Sequence, residues 1–165
     1  MSNIKIIKGD MVESYKNNEL DAYAHQCNCF CRMGRGIAPL LAKANPAVRT
    51  VDNATISGDI SKMGTFSLAE TGLSLVYNIY GQYHWSQYKV APNRNTCYPS
   101  LRQGLFAVME SLHKIQWEQD LTRNMTLGLP LIGCGLAGGD WEGVVLPMIK
   151  DLFDNSGVDV TIFVL

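Results

Sequence analysis

Two glycine-rich segments about a hundred residues apart carry the residues best suited to hold a ligand. They are Met33-Gly34-Arg35-Gly36-Ile37-Ala38 and Ile132-Gly133-Cys134-Gly135-Leu136-Ala137-Gly138-Gly139-Asp140-Trp141. Each follows an apolar run that reads as a strand and leads into a segment that reads as a helix. Glycine lets a backbone approach a ligand with its N–H groups exposed, and a helix start adds partial positive charge beside them. Two such loops at one edge of a sheet could clasp a diphosphate.

The elements that must position these loops alternate along the chain. Strands are expected at residues 4–7, 21–28, 64–70, 74–80, 125–132 and 158–165, and helical segments at 11–17, 37–43, 98–117 and 141–155. The clearest is 98–117, with Leu101, Leu105, Val108, Met109, Leu112 and Ile115 at spacings of three and four. Pro39 suits a first helical turn, and Pro147 predicts a kink or a late start. Residues 50–62 read as polar and irregular, and 81–96 as a long loop bearing Tyr83-His84-Trp85, either a lid or a surface excursion. The pattern predicts a mixed, mostly parallel α/β sheet with helices on its faces, one domain spanning 1–165.

With 165 residues and a formal charge of −1, the chain is long enough to bury a core and lacks the basic excess of a duplex- or RNA-binding surface. No run reaches membrane-spanning length and the start has no signal-peptide pattern, so a cytoplasmic protein is expected. Cys27, Cys29, Cys31, Cys97 and Cys134 are odd in number and lack paired zinc spacing. They read as free thiols, with no metal or cofactor implied. Cys134, between two glycines, reads as packing against its loop.

A dinucleotide fingerprint fails because Pro39 stands where the third glycine would fall, and no Gly-Lys-Ser/Thr phosphate loop occurs. Taken in order, Lys8-Gly9-Asp10, His25-Gln26-Cys27-Asn28 with the first glycine loop, Tyr98-Pro99-Ser100-Leu101, and Leu129-Pro130-Leu131-Ile132-Gly133-Cys134-Gly135-Leu136 resemble the macrodomain family over nearly the whole chain. The similarity is strongest to the stand-alone branch containing terminal ADP-ribose glycohydrolases and yeast-type ADP-ribose 1''-phosphate phosphatases, with similar proteins in phages. The resemblance implies a three-layer α/β/α fold that binds ADP-ribose at the sheet's edge.

It further implies that Asp10 and Met11 meet the adenine, that Gly34, Gly36 and Ile37 wrap the distal ribose side, and that Gly133, Cys134, Gly135 and Leu136 offer N–H groups to the diphosphate. Tyr98 would line the same wall and Asn28 would position the distal ribose. The glycohydrolases of this branch use a lysine where this chain has Gly81 and Gln82, and an aspartate where it has Ala137. The phosphatase pattern, a histidine before Cys-Asn and an aspartate past the second loop, is matched by His25 and Asp140. Those two would share proton transfer and water activation on ADP-ribose 1''-phosphate. Read as residues alone, Asp10 and Asp140 also suit helix caps, and His25 in an apolar strand also suits a core histidine. The rival activities are removal of ADP-ribose from ADP-ribosylated macromolecules and recognition without chemistry.

Overall fold

The computed structural model describes residues 2–165. Strand β1 (Ile4–Lys8) leads into α1 (Met11–Lys16), whose start Asp10 fixes by accepting the N–H groups of Val12 at 2.8 Å and Glu13 at 3.4 Å. β2 (Ala22–Cys27) is buried along most of its length, as a strand covered on both faces must be. It is followed by α2 (Ala38–Ala44), with Pro39 in its first turn, and α3 (Ala47–Asn53). β3 (Phe66–Ala69) and β4 (Leu75–Tyr80) flank residues 71–73 and pair antiparallel. The long helix α4 (Tyr98–Glu118), β5 (Met125–Leu129), α5 (Leu146–Phe153) and β6 (Val158–Val164) complete the chain.

The six strands lie in the order β1-β6-β5-β2-β4-β3, with every neighbouring pair parallel except β3 and β4. Side chains alternate across the sheet. Ala22, Ala24, Tyr77, Ile79, Leu127 and Leu129 meet α4 and α5 on one face, while Tyr23, Cys27, Val76 and Tyr80 meet α1, α2 and α3 on the other. The result is the expected three-layer α/β/α arrangement. Helix α4 buries Leu101, Leu105, Val108 and Leu112, and comes so close to the sheet that a Cβ at Gly104 would clash with Ile79.

Three local expectations change. The segment read as irregular from residue 50 belongs partly to α3, because Val48 packs into the core and its carbonyl accepts the Asn78 Nδ2 hydrogen at 3.0 Å. Asp52 is buried at the end of that helix, accepting the Tyr80 hydroxyl at 2.6 Å. The fifth strand ends at Leu129 rather than 132, since Pro130 has no N–H for a ladder. Beyond the second loop a wide π turn (Trp141–Val145) precedes α5, giving Pro147 the late start its ring allows. Among the described residues no helix is long and apolar enough to cross a membrane.

Candidate functional site

Both glycine loops sit at the carboxyl ends of parallel strands, where open α/β sheets hold ligands. β2 and β5 pair at two positions, Ala22 with Leu127 and Tyr23 with Gly128, and then part, opening a crevice between the loops. At its floor Gln26 donates from Nε2 to Gln82 Oε1 and Thr96 Oγ1, both at 2.9 Å, and Thr96 Oγ1 donates to the Gly133 carbonyl at 2.7 Å. Its own Oε1 is buried without a partner.

Loop 1 (28–37) is shaped from within. Asn28 accepts the Phe30 N–H at 2.9 Å and donates to the Arg32 carbonyl at 2.8 Å, so both ends of its amide hold the loop. Gly36 adopts φ +69°, a conformation glycine takes without strain, and a Cβ at Gly34 or Gly36 would meet nothing within 4 Å. Loop 2 (130–140) folds on itself through the Gly139 N–H to the Gly133 carbonyl at 2.8 Å. Gly135 likewise faces open space, and Leu136 is 73% exposed at the loop tip. Among the described residues, the N–H groups of Gly34, Gly36, Ile37, Gly133, Gly135 and Leu136 donate to no protein acceptor. Uncommitted donors on two neighbouring loops are suited to oxyanions.

The other expected site residues divide. Asp10 and Met11 lie at the carboxyl end of β1, on the same edge as loop 2, with Asp10 acting as the α1 cap. Asp140 sits exposed on the rim, Oδ1 accepting the Gly143 N–H at 3.0 Å, and its own N–H reaches the Tyr98 hydroxyl at 3.0 Å. Tyr98, the first residue of α4, therefore joins loop 2. Cys134 is half-buried, and burial together with the Asp140 charge pushes its thiol up to about 11, which keeps it protonated and unreactive at neutral pH.

His25 is not brought to the crevice. Its side chain points with Tyr23 and Cys27 into the layer under α3, is 0% exposed, and bonds Asn78 Oδ1 at 2.6 Å. Burial lowers its pKa to about 4, partly opposed by the Asn78 bond, so the ring is neutral. Strand alternation puts position 25 on the face of the sheet covered by α3, where the ring packs as a core histidine.

The 81–97 segment is a strap rather than a free lid. It is tied to loop 1 by the Cys29 N–H to the Tyr83 carbonyl at 2.8 Å, and to loop 2 by the Asn95 N–H to the Ala137 carbonyl at 2.8 Å. His84 Nδ1 accepts the N–H groups of Ser86 at 3.0 Å and Gln87 at 2.9 Å, locking the turn. The sequence reading missed Gln26, Gln82, Thr96, Arg32 and Arg94. Arg32 lies over the Trp85 ring, 4.5 Å from its centroid, and Arg94 over the Tyr98 ring at 3.9 Å. Neither stacking contact had a signal in the sequence, since Trp85 is remote from Arg32 in the chain and Arg94 precedes the helix that Tyr98 begins.

No protein-family model matches the chain. It is 31% identical over 158 residues, 93% of its length and 91% of the relative's, to an uncharacterised 17.5 kDa protein of enterobacteria phage T4. It is 28% identical to the human ADP-ribose glycohydrolase OARD1 over 165 residues, 99% of this chain and 93% of that one. The macrodomain of Mycobacterium tuberculosis DarG superposes with a TM-score of 0.66 at 20% identity, covering 97% of this chain and 96% of that one. The chain belongs to the macrodomain family.

Proposed function

We propose that this macrodomain binds ADP-ribose between its two glycine loops and hydrolyses ADP-ribose 1''-phosphate, with Asp140 orienting the attacking water. The observation that carries this reading is that both glycine loops, at the carboxyl ends of β2 and β5, carry backbone N–H groups without protein acceptors, with the exposed Asp140 carboxylate at the end of the second loop. The N–H groups of Gly133, Gly135 and Leu136 would face the diphosphate; that of Cys134, also expected there from the sequence, is taken by the Leu131 carbonyl at 3.1 Å. Gly34, Gly36 and Ile37 would enclose the distal ribose, with Asn28 keeping loop 1 in shape. Asp10 and Met11 would lie at the adenine end and Tyr98 along the wall.

With His25 in the core, the chemistry that fits is one whose leaving group departs as an anion. A phosphate monoester on the anomeric carbon does so as its monoanion, present at neutral pH because the second pKa is about 6: it carries its own proton away as hydrogen phosphate and needs no donor from the protein. Water adds at C1'' as the C1''–O bond of the monoanionic ester breaks, hydrogen phosphate leaves with the bonding electrons, and the water's proton passes to the Asp140 carboxylate. The test is phosphate release by wild type, Asp140→Ala and His25→Gln in water labelled with oxygen-18, with calorimetric ADP-ribose binding on the same samples. Expected are turnover with label in the ribose, loss with Asp140→Ala, retention with His25→Gln, and ADP-ribose binding by all three. Binding without turnover would overturn the hydrolase.

A second reading is favoured by the kinship with an enzyme named ADP-ribose glycohydrolase. Gly81, Gln82 and Ala137 stand where that mechanism expects its lysine and aspartate, which removes the amine for covalent catalysis. Release of ADP-ribose from a modified protein, unaffected by Asp140→Ala, would establish this reading instead.

A further inference from the structure

Four of the six arginines are engaged by other side chains, in two different ways. Arg102 pairs with Asp151, and Arg123 reaches both oxygens of Asp21 at 2.7 and 2.8 Å, so these guanidinium groups are neutralised. Arg32 and Arg94 differ. Among the described residues neither has a carboxylate within salt-bridge distance, and neither guanidinium donates a hydrogen bond to protein. Each is nonetheless held in place, because Trp85 and Tyr98 hold them by cation–π contact.

Their positions tie them to the crevice. Arg32 belongs to loop 1 one residue before Met33-Gly34, and its carbonyl is held by Asn28. Arg94 lies against loop 2: a Cβ on Gly138 would collide with the Asn93 carbonyl and lie 3.2 Å from the Arg94 Cα. The tyrosine beneath Arg94 accepts the Asp140 N–H. A guanidinium resting on a ring leaves its N–H edge free, and that edge matches two phosphate oxygens.

We infer that Arg94, assisted by Arg32, recognises a phosphate ester carried on the anomeric oxygen of the distal ribose, beyond the diphosphate that the loop N–H groups hold. This rests on the proposed placement of ADP-ribose between the loops. It makes the two arginines specificity residues: they add affinity for the ester and none for ADP-ribose itself. A phosphomonoester and the terminal phosphate of a nucleic-acid strand share this chemistry.

The experiment compares affinities for ADP-ribose, ADP-ribose 1''-phosphate and an oligonucleotide bearing ADP-ribose on its terminal phosphate. The proteins are Asp140→Asn, which leaves the ester intact, and Asp140→Asn combined with Arg94→Gln or Arg32→Gln. An ester is expected to bind at least about tenfold tighter than ADP-ribose, the weight of one charge-assisted hydrogen bond. Arg94→Gln should abolish that advantage and Arg32→Gln reduce it, with ADP-ribose affinity unchanged within about twofold and unfolding temperatures equal, as expected of side chains without hydrogen-bond partners. An advantage on the small ester alone identifies a monoester, and on the oligonucleotide alone a strand end; either supports the inference. Equal affinity for ester and ADP-ribose, or an advantage that survives Arg94→Gln, overturns it. Failure of every protein to bind ADP-ribose overturns instead the placement on which it rests.

Discussion

Strands β2 and β5 lie side by side, and their two ends are finished in opposite ways. At the amino ends Asp21 accepts from Arg123 and from the N–H and hydroxyl of Thr126 at 2.8 and 3.0 Å, a closed knot of partnered charge. The Arg123 bond, more than any other contact, holds the Asp21 carboxyl below its usual range. At the carboxyl ends the glycine loops present N–H groups without protein acceptors and arginines without carboxylates. One end completes its own hydrogen bonds and so contributes stability; the other leaves its donors open, which is what the proposed binding uses. On the proposed reading, the same two strands separate the tasks of holding and recognising.

His25, midway between those ends, gives the largest expected effect. Its unfolded form takes up a proton near the ordinary value of about 6.5, while the folded form does so only at about 4. Between these values the unfolded state binds more protons, so stability falls as the pH falls across that window, by about 3 kcal/mol. Denaturant unfolding at stepped pH should show this slope in wild type and lack most of it in His25→Gln. Asp52, whose carboxyl burial raises, titrates with the opposite sign, so the difference between the two profiles is the decisive quantity. Identical profiles would place the histidine back at the functional end.

Next in size is Asp21→Asn. An amide cannot accept from all four donors that converge there, and about 1–3 kcal/mol of unfolding free energy should be lost. Calorimetric affinity for ADP-ribose should stay the same, and a fall in it would erase the division between the ends. The smallest energetic effect, and the sharpest test of the open end, belongs to Gly135→Val. Gly135 lies outside the left-handed region and a Cβ there meets nothing, so stability should hold within about 0.5 kcal/mol. ADP-ribose affinity should nevertheless fall about tenfold or more, about 1.4 kcal/mol, as the side chain enters the crevice. Unchanged affinity would show that the ligand lies elsewhere.

Much of the fold was legible because its elements announce themselves by period. The three- and four-residue spacing from Leu101 to Ile115 marked α4, and the apolar runs at 21–28 and 158–165 marked buried strands. Helix α3 was hidden because its seven residues give barely two turns, and its buried Asp52 argues against a core on composition alone. The glycine loops were legible as motifs. The straps and stacked arginines around them were not, since Arg94 meets Tyr98 and loop 2 only once the chain has folded.

The alternation of strands and helices, the two glycine loops and the suitability of Asp10 as a helix cap follow from the sequence alone, because propensity, period and capping act over a few residues. Only the tertiary structure decided which way His25 faces, that β2 and β5 part toward the loops, that residues 81–97 are tied at both sides, and which arginines stay unpaired. Those outcomes depend on strand register and on contacts between residues far apart in the chain, where a shift of one position turns a side chain from the core to the other face.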